Sequence, residues 1–88
     1  MLFLDKTQLL AKIGDNNESV EVHLTPKEYA LVELLFENKG RAVSKEEISE
    51  KIWPDCGEVV VRVYIGYLRE KLIPIKTVRF IGYMLDFS

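Results

Sequence analysis

Two arginines and two tyrosines occur close together in the segment EVVVRVYIGYLREKL, residues 58–72. Arg62 and Arg69 are seven residues apart, which is about two turns of an α-helix, so both guanidinium groups would lie on one side of it. A guanidinium donates charge-assisted hydrogen bonds to phosphate, and the rings and hydroxyls of Tyr64 and Tyr67 add van der Waals contact and further donors. These residue types predict binding to a phosphate-bearing surface.

An amphipathic helix is the element that must position these side chains. Apolar residues recur at i, i+4, i+7 and i+11, which predicts a helix of about four turns with one buried stripe. The opposite face has few of the Glu and Lys residues that usually solubilise a helix, and it suits a flat, anionic partner. The predicted buried stripe is Val61, Ile65, Leu68 and Leu72, and the opposite face carries Val59, Arg62, Gly66 and Arg69.

The charge distribution permits a modest attraction to nucleic acid. The 88 residues carry a net charge of −2, but residues 1–56 hold seven Lys and Arg against eleven Asp and Glu, whereas residues 57–88 hold five against three. The weakly basic C-terminal third predicts salt-sensitive phosphate binding. No apolar run reaches the roughly 18 residues of a membrane span, and the start MLFLDKTQLL lacks the pattern of a signal peptide.

The sequence offers little for an enzyme. It has no glycine-rich phosphate loop, no Cys/His set with metal-ligand spacing and no nucleophile–base pair. His23 is the only histidine, so a strand residue near the surface is favoured over a metal ligand. Cys56 is the only cysteine, which excludes an internal disulfide and fits a reducing cytoplasm. We expect no enzymatic activity, no cofactor and a cytoplasmic location.

Capping motifs predict where the first two helices begin. The segments TPKE, residues 25–28, and SKEE, residues 44–47, both have the pattern of a capping box. The first helix should end at Asn38-Lys39-Gly40, where Gly40 can adopt a left-handed conformation. The second helix cannot continue past Pro54. Both helices carry apolar residues at helical spacing, namely Ala30, Leu31, Leu34, Leu35, Ile48 and Ile52.

Strands are predicted at both ends of the chain. Residues 2–4 are a short apolar run, residues 7–13 are compatible with a strand, and residues 20–24, after a GDNN turn, alternate with period two, so residues 2–24 indicate an antiparallel sheet. Residues 75–79 and 81–87 indicate a closing β-hairpin. The order of strands, helix, helix, turn, helix and hairpin is that of an α+β winged helix-turn-helix. We assign the whole chain to one domain, with residues 1–24 as the sheet, 25–72 as the three-helix core and 73–88 as the wing.

Four segments in this order resemble the DNA-binding effector domain of OmpR/PhoB-type response regulators. They are LTPKEYALVELL, GRAVSKEEISEKIW, VVVRVYIGYLREKL and IKTVRFIGYML, and with the leading strands they cover almost the whole chain. The resemblance implies a four-stranded N-terminal sheet, a recognition helix in the DNA major groove and a wing, about residues 75–87, at the backbone or minor groove. It implies promoter binding as a homodimer, contact with RNA polymerase, and regulation by a receiver domain and sensor kinase within a two-component phosphorelay where such a domain is present.

The resemblance also implies individual DNA contacts. By position, Lys45 and Trp53 resemble backbone-contacting residues, and Thr77 and Arg79 resemble wing residues that hold phosphate or enter the minor groove. The recognition-helix positions that face DNA are Val60, Tyr64, Tyr67 and Arg69, to which we add Arg62 for its charge.

Three positions depart from the family pattern. Val59 stands where Asn or Arg is common, Arg62 replaces an acidic residue, and Phe80 replaces the glycine expected in the wing turn. The exposed apolar surface that Val59, Val60, Val63 and Phe80 would form supports an alternative function, a winged helix that serves as a protein-interaction or dimerisation module and does not bind DNA.

Structural roles are also open for several of the predicted contacts. Tyr64 and Tyr67 could pack onto the wing as core, and Arg69 could pair with Glu70 or with an acid on the first helix. Lys71 and Lys76 are expected to be solvated charges.

Overall fold

The computed structural model describes residues 2–15 and 17–86. Within them the chain forms strands β1 (Leu2–Asp5), β2 (Leu10–Gly14) and β3 (Ser19–His23), then helices α1 (Pro26–Glu37), α2 (Lys45–Ile52) and α3 (Val59–Glu70). Strands β4 (Ile75–Val78) and β5 (Gly82–Leu85) complete it. This is the predicted α+β winged helix-turn-helix. Phe87, which the sequence placed in the wing, and Ser88 lie outside the described residues.

The N-terminal sheet is antiparallel in the order β1-β2-β3. Leu2, Ala11 and Val22 lie on its inner face, and Leu2 and Ala11 are buried against the helices. The outer face carries Phe3 and Lys12, both exposed. The described residues form three strands here, one fewer than the resemblance implied, and residues 6–9 form the turn that connects β1 to β2.

The first helix begins as the sequence predicts. The hydroxyl of Thr25 accepts from the backbone N–H of Glu28, and the Glu28 carboxylate accepts from the N–H of Thr25. Both halves of the capping box are therefore present. Leu24 and Tyr29 are buried on either side of this cap, and Gly40 has a φ of 88° just after the helix ends.

The second helix has only the first half of its predicted box. Ser44 accepts from the N–H of Glu47, but the Glu47 carboxylate lies 3.7 Å from Arg41 and 3.4 Å from Lys51. These two cations draw the carboxylate away from the cap. At the other end of α2, the Lys27 ammonium donates to the Ile52 carbonyl, which fastens α1 to α2.

The third helix ends earlier than the apolar spacing predicted. Val61, Ile65 and Leu68 are buried, but Leu72 lies beyond the helix, is 64% exposed and has a φ of 72°. The N–H of Ile73 donates to the Leu68 carbonyl and that of Leu72 to the Arg69 carbonyl, which together form a Schellman motif. The left-handed position of this motif usually holds glycine. Because Leu72 occupies it and also fits the apolar spacing, the sequence predicted that the helix would continue to this residue.

The hairpin is attached to the turn before α2. Val43 and Tyr83 exchange two backbone hydrogen bonds, so this turn is bridged to β5 at a single antiparallel residue pair. The approach is close at Gly82, where an added Cβ would collide with the Val43 carbonyl. The core lies between the sheet, the helices and this hairpin, and its fully buried residues include Leu31, Leu35, Val43, Ile48, Ile65, Leu68 and Leu85.

Lys71 is not the solvated charge that the sequence suggested. Its ammonium lies 2.7 Å from the buried Glu28 carboxylate and also donates to the His23 carbonyl. The C-terminal end of α3 is thereby fixed to the first turn of α1 and to β3. His23 itself is exposed on its strand, as expected.

Candidate nucleic-acid interface

The two flanks of α3 carry different chemistry. Arg62 and Arg69 lie on the flank that faces the β4–β5 hairpin. Tyr64 lies on the other flank, against Trp53 at the end of α2. Val59, which is 77% exposed, and Val63 occupy the surface between them. The helix therefore presents cations toward the wing, aromatic rings toward α2 and an apolar strip along its outer side.

Arg69 connects α3 to the wing. Its Nε donates to the Ile75 carbonyl at 3.1 Å, and one Nη donates to the hydroxyl of Thr77 at 2.7 Å. These bonds replace the pairing with Glu70 considered from the sequence. A guanidinium has five N–H donors, so Arg69 keeps donors for a further partner while its orientation is fixed by β4.

Three aromatic rings form a row from α2 to the surface. The ring centroids of Trp53 and Tyr64 are 4.6 Å apart, and those of Tyr64 and Tyr67 are 5.5 Å apart. Such pairs favour a defined ring geometry. Burial decreases along the row, since Trp53 is buried, Tyr64 is half-buried and Tyr67 is exposed. Packing therefore holds Trp53 and much of Tyr64, and Tyr67 is the ring most open to a partner.

A cleft of about 450 Å³ lies between the start of α2, α3 and the hairpin. We call it the basic cleft, because Lys45, Arg62 and Arg79 line it together with Thr77. Its charge is partly offset, since Glu46 also lines it and Glu58 lies 4.0 Å from the Lys45 ammonium. Exposed ion pairs of this length are weak, so Lys45 remains available to a phosphate.

The wing tip, residues 79–81, lines the basic cleft. Phe80 is 94% exposed, and its φ of 67° is the left-handed value that a glycine would adopt without strain. The N–H of Ile81 donates to the Val78 carbonyl, and a positive φ at the third residue of such a turn is typical of type II turns. Sequence analysis identified Phe80 as a departure from the glycine that the family has here. The backbone nevertheless adopts the left-handed conformation that glycine favours.

The start of α3 lacks a side-chain cap. Glu58 makes no capping hydrogen bond and has helical backbone angles, as expected from the absence of a good capping residue. The turn before it is held instead by the hydroxyl of Ser49, which donates to the Cys56 carbonyl. Val60, the remaining predicted contact, is half-buried and packs against the core.

The structure thus brings the predicted residues into two groups on either side of one helix. Lys45, Arg62, Thr77 and Arg79 share the basic cleft, to which Arg69 is joined through Thr77. Trp53, Tyr64 and Tyr67 form the aromatic row on the other flank. Sequence analysis missed Ile81 and Glu46, which also line the cleft. A hairpin turn directly after Arg79 was the available signal for Ile81.

Across residues 2–15 and 17–86, no helix has the length and apolar character needed to cross a membrane.

Comparison with known proteins assigns the chain to a family. The family described as "Transcriptional regulatory protein, C terminal" matches residues 16–85. The response regulator ArlR of Staphylococcus aureus is 45% identical over 74 aligned residues, which cover 74% of this chain and 34% of ArlR. The chain thus spans about a third of the length of the curated relatives it matches.

Solved structures have the same fold. The DNA-binding domain of Bacillus subtilis CssR superposes with a TM-score of 0.78 at 26% identity, covering 98% of this chain and all of that one. The DNA-binding domain of the response regulator AdeR, solved in complex with an intercistronic region, gives a TM-score of 0.82 at 23% identity and covers 97% and 93% of the two chains. The chain belongs to the family of C-terminal domains of transcriptional regulatory proteins, the DNA-binding effector domains of OmpR/PhoB-type response regulators.

Proposed function

We propose that this domain binds double-stranded DNA sequence-specifically, with α3 in the major groove and the β4–β5 hairpin at the backbone and minor groove. The observation that carries the proposal is the basic cleft, where Lys45, Arg62 and Arg79 converge beside α3. Three cations around one cleft suit a run of phosphates or a guanine edge, which arginine contacts through two donors.

The proposed contacts divide into three kinds. Lys45, Thr77 and Arg79 would bind backbone phosphates and set the orientation of the domain. Arg62, Arg69 and Tyr67 project from α3 and would reach base edges. Val60 and the exposed apolar strip of α3 would contact thymine methyl groups. Trp53 and Tyr64 would support the helix through ring packing, with only their edges near the backbone.

The remaining proposals concern partners and context. Residues 1–88 would act as one unit on promoter DNA, bind as a homodimer and meet RNA polymerase through a surface near α2 and α3. The chain spans about a third of relatives such as ArlR, and where the full-length protein carries a receiver domain, we propose that the receiver domain controls DNA binding. Because its proposed target is DNA, we propose that the domain acts in the cytoplasm.

A second function is favoured by one specific observation. Val59, Val63 and Phe80 are all exposed, on a chain whose net charge is −2. A protein-binding winged helix without DNA affinity would use such a surface. Two observations weigh against the protein-binding function. The apolar residues are flanked by Arg62 and Arg79, and Arg69 is held between α3 and the wing.

Fluorescence anisotropy of a labelled random-sequence duplex tests the proposed function at about 50 mM and about 200 mM salt. An Arg62→Ala/Arg79→Ala variant is preferable to one that includes Arg69, because Arg69 also holds β4. The matched control is Lys6→Ala/Lys12→Ala, which removes two exposed cations from the N-terminal region.

We expect wild type and control to bind at low salt and to weaken together as salt rises. The arginine variant should bind at least about tenfold more weakly and with a shallower salt dependence. Absence of wild-type binding at low salt contradicts the proposal and favours the protein-binding function. Equal loss of affinity in the control would mean that net charge, and not the basic cleft, sets the binding.

A further inference from the structure

The wing tip carries an exposed aromatic ring on an unfavourable backbone. Phe80 combines 94% exposure with a left-handed φ of 67°, and a bulky residue adopts that conformation only at a cost. Ile81 beside it is also exposed. Phe80 does not pack in the core, and the turn geometry would favour glycine. We therefore look for the role of this ring in binding and not in folding.

The surroundings of Phe80 favour a nucleic acid as its partner. The guanidinium carbon of Arg79 lies 5.0 Å from the Phe80 ring centroid, so the cation and the ring form one unit. Both line the basic cleft with Arg62, Lys45 and a single carboxylate, Glu46. An apolar ring bordered mainly by cations is complementary to bases framed by phosphates and less so to an apolar protein surface.

We propose that Phe80 is an apolar wedge that enters the minor groove and partly unstacks one base step, with Arg79 beside it in the groove. This inference rests on the proposed function and adds a specificity-determining residue to it. Apolar side chains that insert between base steps kink the duplex and bring more protein surface into contact. Pyrimidine–purine steps such as TA unstack most easily, so the wedge gives a base preference that involves no hydrogen bond.

A duplex of alternating T and A, about 20 base pairs long with 2-aminopurine at a central TA step, tests the wedge at about 50 mM salt. This base analogue fluoresces more strongly when it is unstacked. A dye at one end reports anisotropy and thus the occupancy of the same duplex. The variants are Phe80→Gly, which removes the ring, Phe80→Leu, which keeps an apolar side chain, and the control Phe3→Ser, which removes an exposed ring from the N-terminal sheet.

At equal occupancy we expect wild type and Phe3→Ser to raise the 2-aminopurine fluorescence about twofold. Phe80→Leu should give a smaller rise and Phe80→Gly none. Equal fluorescence for wild type and Phe80→Gly, at equal anisotropy, overturns the wedge while DNA binding stands, and leaves the ring free for a protein partner. No anisotropy change for the wild type overturns the wedge and the proposed function together.

Discussion

The Lys71 ammonium nitrogen lies 2.7 Å from Oε1 of Glu28, and this contact joins the C-terminal end of α3 to the first turn of α1. Glu28 is a buried carboxylate that also caps α1 through the N–H of Thr25. This ion pair, whose two partners are 43 residues apart in sequence, therefore helps to fix the position of the predicted recognition helix.

Removing the charge of Lys71 should destabilise the domain. Lys71→Met keeps the aliphatic stem but leaves the Glu28 carboxylate buried without its cation, which we expect to cost about 1–3 kcal/mol of unfolding free energy. Lys76→Met is the matched control, because Lys76 is exposed on β4. Urea denaturation measures both. Equal stability of Lys71→Met and wild type would show that the pair contributes nothing net.

The stability should depend on pH through Glu28. Burial raises the pKa of this carboxyl, but the hydrogen bond from Lys71 and the backbone N–H of Thr25 oppose it and leave the pKa below its ordinary value. A lowered folded-state pKa stabilises the fold above the unfolded-state pKa, and the gain is lost as pH falls through the folded value. Urea titrations of wild type and Glu28→Gln, from about pH 7 to about pH 3, should therefore converge on acidification.

Comparing wild type with Glu28→Gln separates the effect of Glu28 from that of Asp15, another carboxyl whose pKa is lowered. The pKa of Asp15 is also lowered, because the backbone N–H groups of Glu18 and Asn17 donate to it. Asp15 is present in both proteins, so its contribution cancels in the difference. A constant stability difference at all pH values would contradict the role assigned to the Glu28 charge.

Gly82→Ala should be strongly destabilising. An added Cβ would collide with the Val43 carbonyl, where the turn before α2 pairs with β5. Backbone on both sides leaves no flexible side chain to move, so we expect a loss of more than about 2 kcal/mol. Thermal unfolding gives the value. The internal control is Gly66→Ala in α3, which meets nothing within 4 Å and should gain up to about 1 kcal/mol in helix propensity.

Phe80→Gly should stabilise the isolated domain while weakening its effect on DNA. Glycine adopts a positive φ without the left-handed penalty of about 1–2 kcal/mol, although part of the gain is offset by the greater freedom of the unfolded chain. Phe80→Ala separates the two effects, because it removes the ring and keeps the penalty. A lower melting temperature for Phe80→Gly than for Phe80→Ala would mean that the turn does not favour glycine.

The starts of the first two helices and the end of the second were predictable because their signals are local. Thr25 and Ser44 each cap a helix that begins at the next residue, and Pro54 follows directly after α2 and its cap. The end of α3 was predicted wrongly, since Leu72 matches the apolar period but the chain reverses there. Apolar spacing carries no information about φ, and a Schellman motif is normally marked by glycine.

The side chains of the interface were easier to predict than their partners. Arg62, Tyr67 and Arg79 are exposed at the surface that sequence reasoning chose. The bonds from Arg69 to Thr77 and from Lys71 to Glu28 were not foreseen, because each joins elements whose approach depends on the assembled core. The DNA contacts of Arg62, Tyr67 and Arg79 are predictions.

The pairing of Val43 with Tyr83 has a consequence for the energetics of binding. This pairing joins the turn before α2 to the hairpin, and Arg69 joins the hairpin to α3. The hairpin and α3, which we propose to contact adjacent grooves, are therefore connected in the free domain. A preorganised spacing leaves less conformational entropy to be lost on association, and more of the contact free energy appears as affinity. A fixed distance between α3 and the hairpin would also let the domain discriminate among duplexes by groove width as well as by base sequence.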